Sequence, residues 1–328
     1  MGSLVDGQWY KEGYDPDKGD GQYLNEPFQF TDKILPKQED SSAKYEAEAG
    51  RYHLYISLGC PWSHLTLLYW RLKNLQNIVS YSVVEPRVTE YGWEFSYIGK
   101  NAYHCQGAQA DPLFGYKYLY QVYQRANSTY SGQVTVPLLW DKYNNTLVNN
   151  NAFDITRIFN SAFDQLAGNQ VNFFPTILAT EIDDMAAWLI KSIFHGVYLC
   201  GFATSQLAYD HAVSELFTRI EEVEHRLSHE RYLLGDAITA LDWLIFPILI
   251  RFEPIFFGLF RTNKQHLAHY PNLHDYLHEL YQLKGVAETV DFEHIKQHYY
   301  FSYPELYPHR IIPAGFIPNY TTQHRRGF

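Results

Sequence analysis

Methionine and cysteine are scarce, with two and three copies in 328 residues. The thiols Cys60, Cys105 and Cys200 are too few and too scattered for a disulfide framework. No run of about 18 apolar residues occurs, so a transmembrane helix is not expected. The richest stretch, 244–260, is broken by Pro247, Arg251, Glu253 and Pro254. The start, MGSLVDGQWYKEGYDPDKGDG, has no basic segment leading into an apolar core, and secretion is not expected. The Asn-x-Ser/Thr matches at Asn127, Asn144 and Asn319 then carry little weight as glycosylation sites. Basic residues are also outnumbered, 26 Lys and Arg against 36 Asp and Glu, for a net charge of −10. That excludes a nucleic-acid backbone as the main ligand, because counterion release needs clustered cations. Acidity of this size favours solubility and names no partner. Fifteen histidines are present, but none joins a Cys or carboxylate at a zinc-like spacing, so no metal is expected.

What the chain does hold is globular composition, 46% hydrophobic and 19% charged. Its length suits two domains. Tyrosine and phenylalanine are abundant, at 28 and 21. Such rings build either an aromatic-lined cavity or an aromatic core.

Residues 1–50 are rich in Gly, Asp, Lys, Glu and Ser, with weak periodicity, and read as an extended arm over the surface. From Arg51 the pattern changes. Residues 52–57 alternate as a strand, Leu58-Gly59 breaks it, 63–75 carries leucines and Trp70 at helical spacing, and 78–84 is a second strand. Strand, tight turn, helix, strand is a βαβ unit. A helix over 115–126, strands at 134–141 and 145–148, and a helix from Ala152 complete a βαβαββα order for 51–160. Pro137 inside a strand-like run implies an edge, a bulge or a cis peptide, since proline donates no ladder bond. The half from 175 to 303 is helical in pattern, with apolar stripes at 181–194, 205–228, 241–252 and 273–283. Thr239 and Asp242 fit a variant capping box. A proline-bearing tail, 304–328, follows and is expected to wrap the surface.

Cys60 is the strongest chemical candidate. It sits in the strand-to-helix turn, with Pro61 in the first helical turn, where a missing N–H costs nothing. A sulfur at a helix N-terminus meets the positive end of the dipole, which favours the reactive thiolate. Ser63 stands where a dithiol motif would place its second cysteine, so the site reads as monothiol, passing its disulfide to an external thiol. Cys105 and Cys200 read as buried apolar side chains.

Several segments in order resemble a known family. They include Arg51-Tyr52-His53-Leu54-Tyr55 leading into Cys60-Pro61-Trp62-Ser63-His64, Gly92-Trp93-Glu94-Phe95, Val134-Thr135-Val136-Pro137, Gly196-Val197-Tyr198 and His294-Ile295-Lys296-Gln297-His298-Tyr299-Tyr300. Over nearly its whole length the chain is similar to glutathione transferases, and within them to the xi class, the glutathionyl-hydroquinone reductases. The resemblance implies an α/β plus all-α fold: an N-terminal thioredoxin-like domain followed by a helical glutathione-transferase C-terminal domain. It implies a cytoplasmic homodimer that acts on a small thiol and an aromatic quinone conjugate. Nucleic acid and membrane play no part, and glutathione is a co-substrate rather than a permanently bound cofactor. Cys60 would take the glutathionyl group and a second glutathione would release it. Pro137 would be the cis-proline presenting the Val136 backbone to the thiol, and Trp93 would flank the thiol. Tyr198 and Tyr299 would be the tyrosines over the quinone oxygens, with Tyr300 the competing neighbour in that pocket.

The chain also departs from the pattern. After Val148 relatives read Asn-Glu-Ser, the Glu and Ser holding the γ-glutamyl end; here Asn150-Asn151-Ala152 stand. Losing a charge-assisted bond of about 1.5–3 kcal/mol would weaken binding roughly tenfold to a hundredfold. Asn151 and Ala152 therefore imply weak glutathione binding with Asp154 as substitute anion, another thiol, or simply a neutral helix cap. Two other functions stay open at this point: a binding or scaffold protein on a transferase fold, and a glutaredoxin-like general disulfide reductase.

Overall fold

A computed structural model describes residues 2–11, 28–37, 43–96, 105–315 and 317–326. Its strands are β1 (Ser3–Val5), β2 (Gln8–Tyr10), β3 (Tyr52–Ile56), β4 (Ser80–Val83), β5 (Gly132–Gln133), β6 (Leu138–Asp141) and β7 (Thr146–Asn149). Its helices through the first half are α1 (Pro61–Leu72), α2 (Leu119–Ala126), α3 (Ala152–Ser161) and the single turn α4 (Asp164–Ala167). Then come α5 (Ala179–Leu189), α6 (Gly196–Phe202), α7 (Gln206–Leu227), α8 (Ala240–Arg251), the short α9 (Phe257–Leu259), α10 (Pro271–Gln282) and α11 (Phe292–Ser302).

The described residues fall into two compact units. One runs up to Val171 and adds Thr289–Ser302; the other holds Asn172–Glu288 and the chain from Tyr303 onward. The sequence reading ran the helical half from 175 to 303, whereas α11 groups with the first unit. Thr289 and α11 are tied there by polar contacts to residues 64–88.

In the first unit four strands lie in the order β4-β3-β6-β7. β3 and β4 are parallel, with Leu54 opposite Tyr81 and Ile56 opposite Val83, as a crossover through α1 requires. β3–β6 and β6–β7 are antiparallel, with a bulge between Leu139 and Trp140. All five residues of β3 are buried, the mark of a central strand covered on both faces. This is the thioredoxin-like arrangement. Residues 134–137 precede β6 rather than belonging to it, because Pro137 cannot join the ladder.

The N-terminal arm is more than a surface cover. β1 pairs antiparallel with β2 and with β5, placing Ser3 opposite Gln133, and Leu4 is wholly buried beside Cys60, Trp93 and Val136 in one apolar cluster. The segment after Phe28 lies along β7: Asp32 N–H donates to Val148 O and Asn150 N–H to Phe30 O. That satisfies an edge that would otherwise be open.

The second unit is helical. α7 packs on α6 and α10, and α8 on α5 and α10. Every residue of α8 is buried, and its start carries the capping box expected at Thr239 and Asp242. Asp242 accepts from the Thr239 amide at 2.7 Å, the Leu233 amide at 3.0 Å and the Tyr276 hydroxyl at 2.7 Å. A wide π turn, Ile190–Phe194, joins α5 to the segment before α6. The helical stretch Thr176–Phe202 is long and apolar enough to cross a membrane, but half of its apolar window is buried within the protein. The tail is bonded along α10: Gln282 donates to Tyr320 O, and Arg326 donates to Glu279 at 2.8 Å.

Candidate active site

Cys60 is the N-cap of α1, with extended backbone (φ −77°, ψ 128°) and Pro61 directly after it. Its carbonyl accepts the His64 amide at 3.0 Å, the first bond of the helix. The thiol makes no cap bond to the helix amides; it donates instead to Val136 O at 3.6 Å. A neutral thiol is a donor and so turns to a carbonyl, whereas a thiolate accepts and would turn to the amides. Val136 is followed by Pro137 through a cis peptide bond. Thus the turn after β3 and the loop before β6 meet at the sulfur.

Ser63 has a structural task in the same turn. Its hydroxyl is fully buried and accepts the Ser57 amide at 3.2 Å, while Ser57 Oγ accepts the Gly59 amide. His64, next along α1, pairs through Nε2 with Thr289 Oγ1 at 2.9 Å. Gly59 is required by close approach: a Cβ there would stand 2.4 Å from the His298 Cβ and 2.9 Å from His294 O. The turn before the sulfur is therefore packed directly on α11.

Trp93 is buried and stacked on His298. His298 Nδ1 bonds to Pro86 O at 3.1 Å. Next to it, Tyr299 is fully enclosed, while Tyr300 is half-buried. Tyr198 belongs to the second unit, half-buried on α6 against Phe202, Phe256 and Phe260. Gly201 makes that cluster possible, since a Cβ there would fall 2.6 Å from the Phe260 ring.

Asn151 is the N-cap of α3, and its Oδ1 accepts the amides of Phe153 at 2.9 Å and Asp154 at 3.3 Å. Ala152 is the first helical residue and is buried. Asn149 Oδ1 in turn accepts the Asn151 amide at 2.7 Å. The neutral-cap reading of Asn151 thus describes what this side chain does here. First-turn Asp154 is the acidic group on this helix end.

The other two thiols have different surroundings. Burial pushes Cys105 up to about 12, with Asp291, Glu293 and Glu85 adding to it. Burial does the same to Cys200. Burial of this kind disfavours the thiolate, the form that reacts. Among the described residues no three His, Cys, Asp or Glu side chains gather as a metal set. Sequence reasoning gave no role to His298 or Gly59, although the first stands in the motif beside Tyr299 and the second breaks the strand before Cys60.

Residues 206–279 match the family model for the Glutathione S-transferase, C-terminal domain. The chain is 39% identical to glutathionyl-hydroquinone reductase YqjG of Escherichia coli, over 96% of this chain and 95% of that protein. It is 37% identical to glutathionyl-hydroquinone reductase PcpF of Sphingobium chlorophenolicum, over 96% of each. The glutathione-bound structure of YqjG matches with a TM-score of 0.87 at 38% identity, over 99% of both chains. A Xi class GST from Natrialba magadii matches with a TM-score of 0.88 at 37% identity, over 99% of this chain and 96% of that one. With the thioredoxin-like sheet, the helical second unit and relatives matched end to end, the chain belongs to the xi class of glutathione transferases, the family of the glutathionyl-hydroquinone reductases.

Proposed function

We propose that the protein is a glutathionyl-hydroquinone reductase in which Cys60 is the nucleophile. The observation that carries this is Cys60 at the α1 N-terminus against the cis Val136–Pro137 loop. The Cys60 thiolate attacks the sulfur of a glutathionyl-hydroquinone. A Cys60–S–S–glutathione bond forms, the aryl C–S bond breaks, and its electron pair goes to the ring carbon, which takes a proton and leaves as hydroquinone. A second glutathione thiolate then attacks the mixed disulfide, giving glutathione disulfide and, with one proton, the Cys60 thiol. Overall the thioether sulfur of the conjugate and the thiol of the second glutathione each give up one electron to the disulfide and the aryl carbon gains two, so electrons balance without a further reductant.

In this reading the Val136 backbone receives the thiol's peptide and Trp93 flanks it. Asn151, Ala152 and the α3 N-terminus face the γ-glutamyl end with less charge than a carboxylate supplies. Glutathione is thus held loosely, with Asp154 as the available anion. Tyr198 donates to a quinone oxygen as charge develops on it. On α11 the family resemblance favours Tyr299 and exposure favours Tyr300. Comparing Tyr299→Phe with Tyr300→Phe decides, the variant whose turnover falls tenfold or more marking the residue at the quinone. The reading includes a homodimer in the cytoplasm, supported by the family resemblance.

The test is reaction with a glutathionyl-hydroquinone and excess glutathione, following hydroquinone release and the mass of the Cys60 peptide. Release together with a glutathione adduct on Cys60 supports the proposal. An alkylatable Cys60 with neither release nor adduct refutes it for glutathione. Reduction of small mixed disulfides with no preference for aromatic leaving groups would favour a general disulfide reductase.

A further inference from the structure

We propose that Tyr123, on α2, is a positioning residue for the thiol co-substrate, its single phenol oxygen tying the loop that carries Val136–Pro137 to the entry of α3. The inference rests on the thiol-site reading above. β6 and β7 pair only as far as Leu139 opposite Asn149. Beyond that point the two segments leave the ladder: Thr135, Val136 and Pro137 on one side, Asn150 and Asn151 on the other. The Tyr123 oxygen spans this opening. It donates to Thr135 O at 2.9 Å and accepts from the Thr135 amide and from Asn150 Nδ2, each at 3.4 Å.

A phenol carries one proton; its short bond runs to Thr135 O, the Thr135 hydroxyl lies farther off at 3.5 Å, and Asn150 meets the oxygen with its NH₂. In that orientation the Asn150 Oδ1 is buried and unpaired. Its backbone is held as well, by the Phe30 carbonyl at 3.1 Å. The ring is clamped between Phe30 (6.3 Å, 72°) and Tyr130 (5.1 Å, 47°), and Tyr130 Oη itself donates to Gln133 O. Tyr123 is fully buried, so it touches no substrate and acts through the two segments it joins.

The test compares the wild-type protein with Tyr123→Phe, which deletes the oxygen and keeps the ring. Affinity for S-methylglutathione is measured by calorimetry, beside the KM for glutathione, kcat at saturating thiol and the rate of Cys60 alkylation. The expected result is a Kd and KM raised by about tenfold, the size of a lost buried hydrogen bond, with kcat and alkylation within twofold. Should Tyr123→Phe fold poorly, Asn150→Ala removes one leg of the tie, and a rise of at least threefold in Kd with unchanged kcat is expected. A Kd and KM unchanged in the variant, with only a lowered melting temperature, would make the role purely structural and overturn the inference. A wild-type protein that neither binds S-methylglutathione nor turns over overturns the reading beneath it, and the inference with it.

Discussion

The indole of Trp93 lies face to face with the imidazole of His298, ring centroids 5.1 Å apart and planes 20° from parallel. His298 also stands against Gly59, the residue before Cys60, so one α11 side chain contacts both Trp93 and the turn that carries Cys60. Any bulk added at Gly59 must push α11 away or displace the turn. Gly59→Ala is therefore expected to cost about 1–3 kcal/mol of stability, the usual range for overpacking. Turnover should fall with it, and His298→Leu should lower turnover without the clash. Chemical denaturation together with a rate assay checks both. Normal stability and rate in Gly59→Ala would show that the contact yields freely.

For the nucleophile the expectation is sharper. Cys60→Ser puts a smaller polar atom at the same place in the turn, so melting should shift little. Hydroquinone release should drop by at least a thousandfold, because a serine hydroxyl at neutral pH is not ionised. Full rate in that variant would falsify the mechanism.

Asn151 offers a gain-of-function test. Asn151→Ala removes the cap of α3 and should cost about 1 kcal/mol of stability. Asn151→Asp keeps a side-chain acceptor of equal capping quality and adds a negative charge at the helix N-terminus, where it is favoured. If the γ-glutamyl ammonium lies near, KM for glutathione should fall several-fold in Asn151→Asp, and the gain should shrink in high salt. An unchanged KM would place the amine elsewhere.

Stability should also depend on pH through His53, well away from the sulfur chemistry. Its ring bridges Ser80 Oγ and Ser82 Oγ, each at 2.8 Å. Because the Ser80 hydroxyl donates to Tyr52 O, Nδ1 carries the imidazole proton and Ser82 donates to Nε2. Burial, and then Lys142, push this imidazole down from 6.5 to about 3. Between those values the unfolded chain binds a proton that the folded one refuses. Stability from this group is thus complete above pH 6.5 and lost as pH falls toward 3, at up to about 1.4 kcal/mol per pH unit. His53→Gln should flatten that limb in melts recorded from pH 7 to 4, and an unaltered slope would exclude His53 as its source.

The sequence was most readable where local rules act. The parallel pair β3 and β4 around α1 follows from alternation, a breaker and helical spacing, and the cap at Thr239 and Asp242 follows from two residue types three apart. The start of α1 at Cys60 was legible too, although the thiol's preference for Val136 O was not, since that carbonyl comes from a segment 76 residues away. β1 escaped notice because three residues have no measurable period, even though Leu4 pairs locally with Trp9 across the Asp6-Gly7 turn as well as with Gly132. The helix pattern of 292–302 carried no sign of the unit it would join. That depended on Gly59 being bare and Trp93 being flat.

The placement of α11 bears on how the protein is made. The first unit is not complete when the ribosome has passed Val171, because Thr289–Ser302 has yet to be synthesised. At about 5–20 residues per second, the 117 residues from Asn172 to Glu288 impose a delay of some seconds to tens of seconds. Throughout it the Gly59 turn and the face of Trp93 lack their covering helix. A gene fragment ending at Val171 would inherit that unfinished surface permanently. Recombination among such proteins can therefore exchange the thioredoxin-like unit intact only by carrying a second, distant piece of the chain with it.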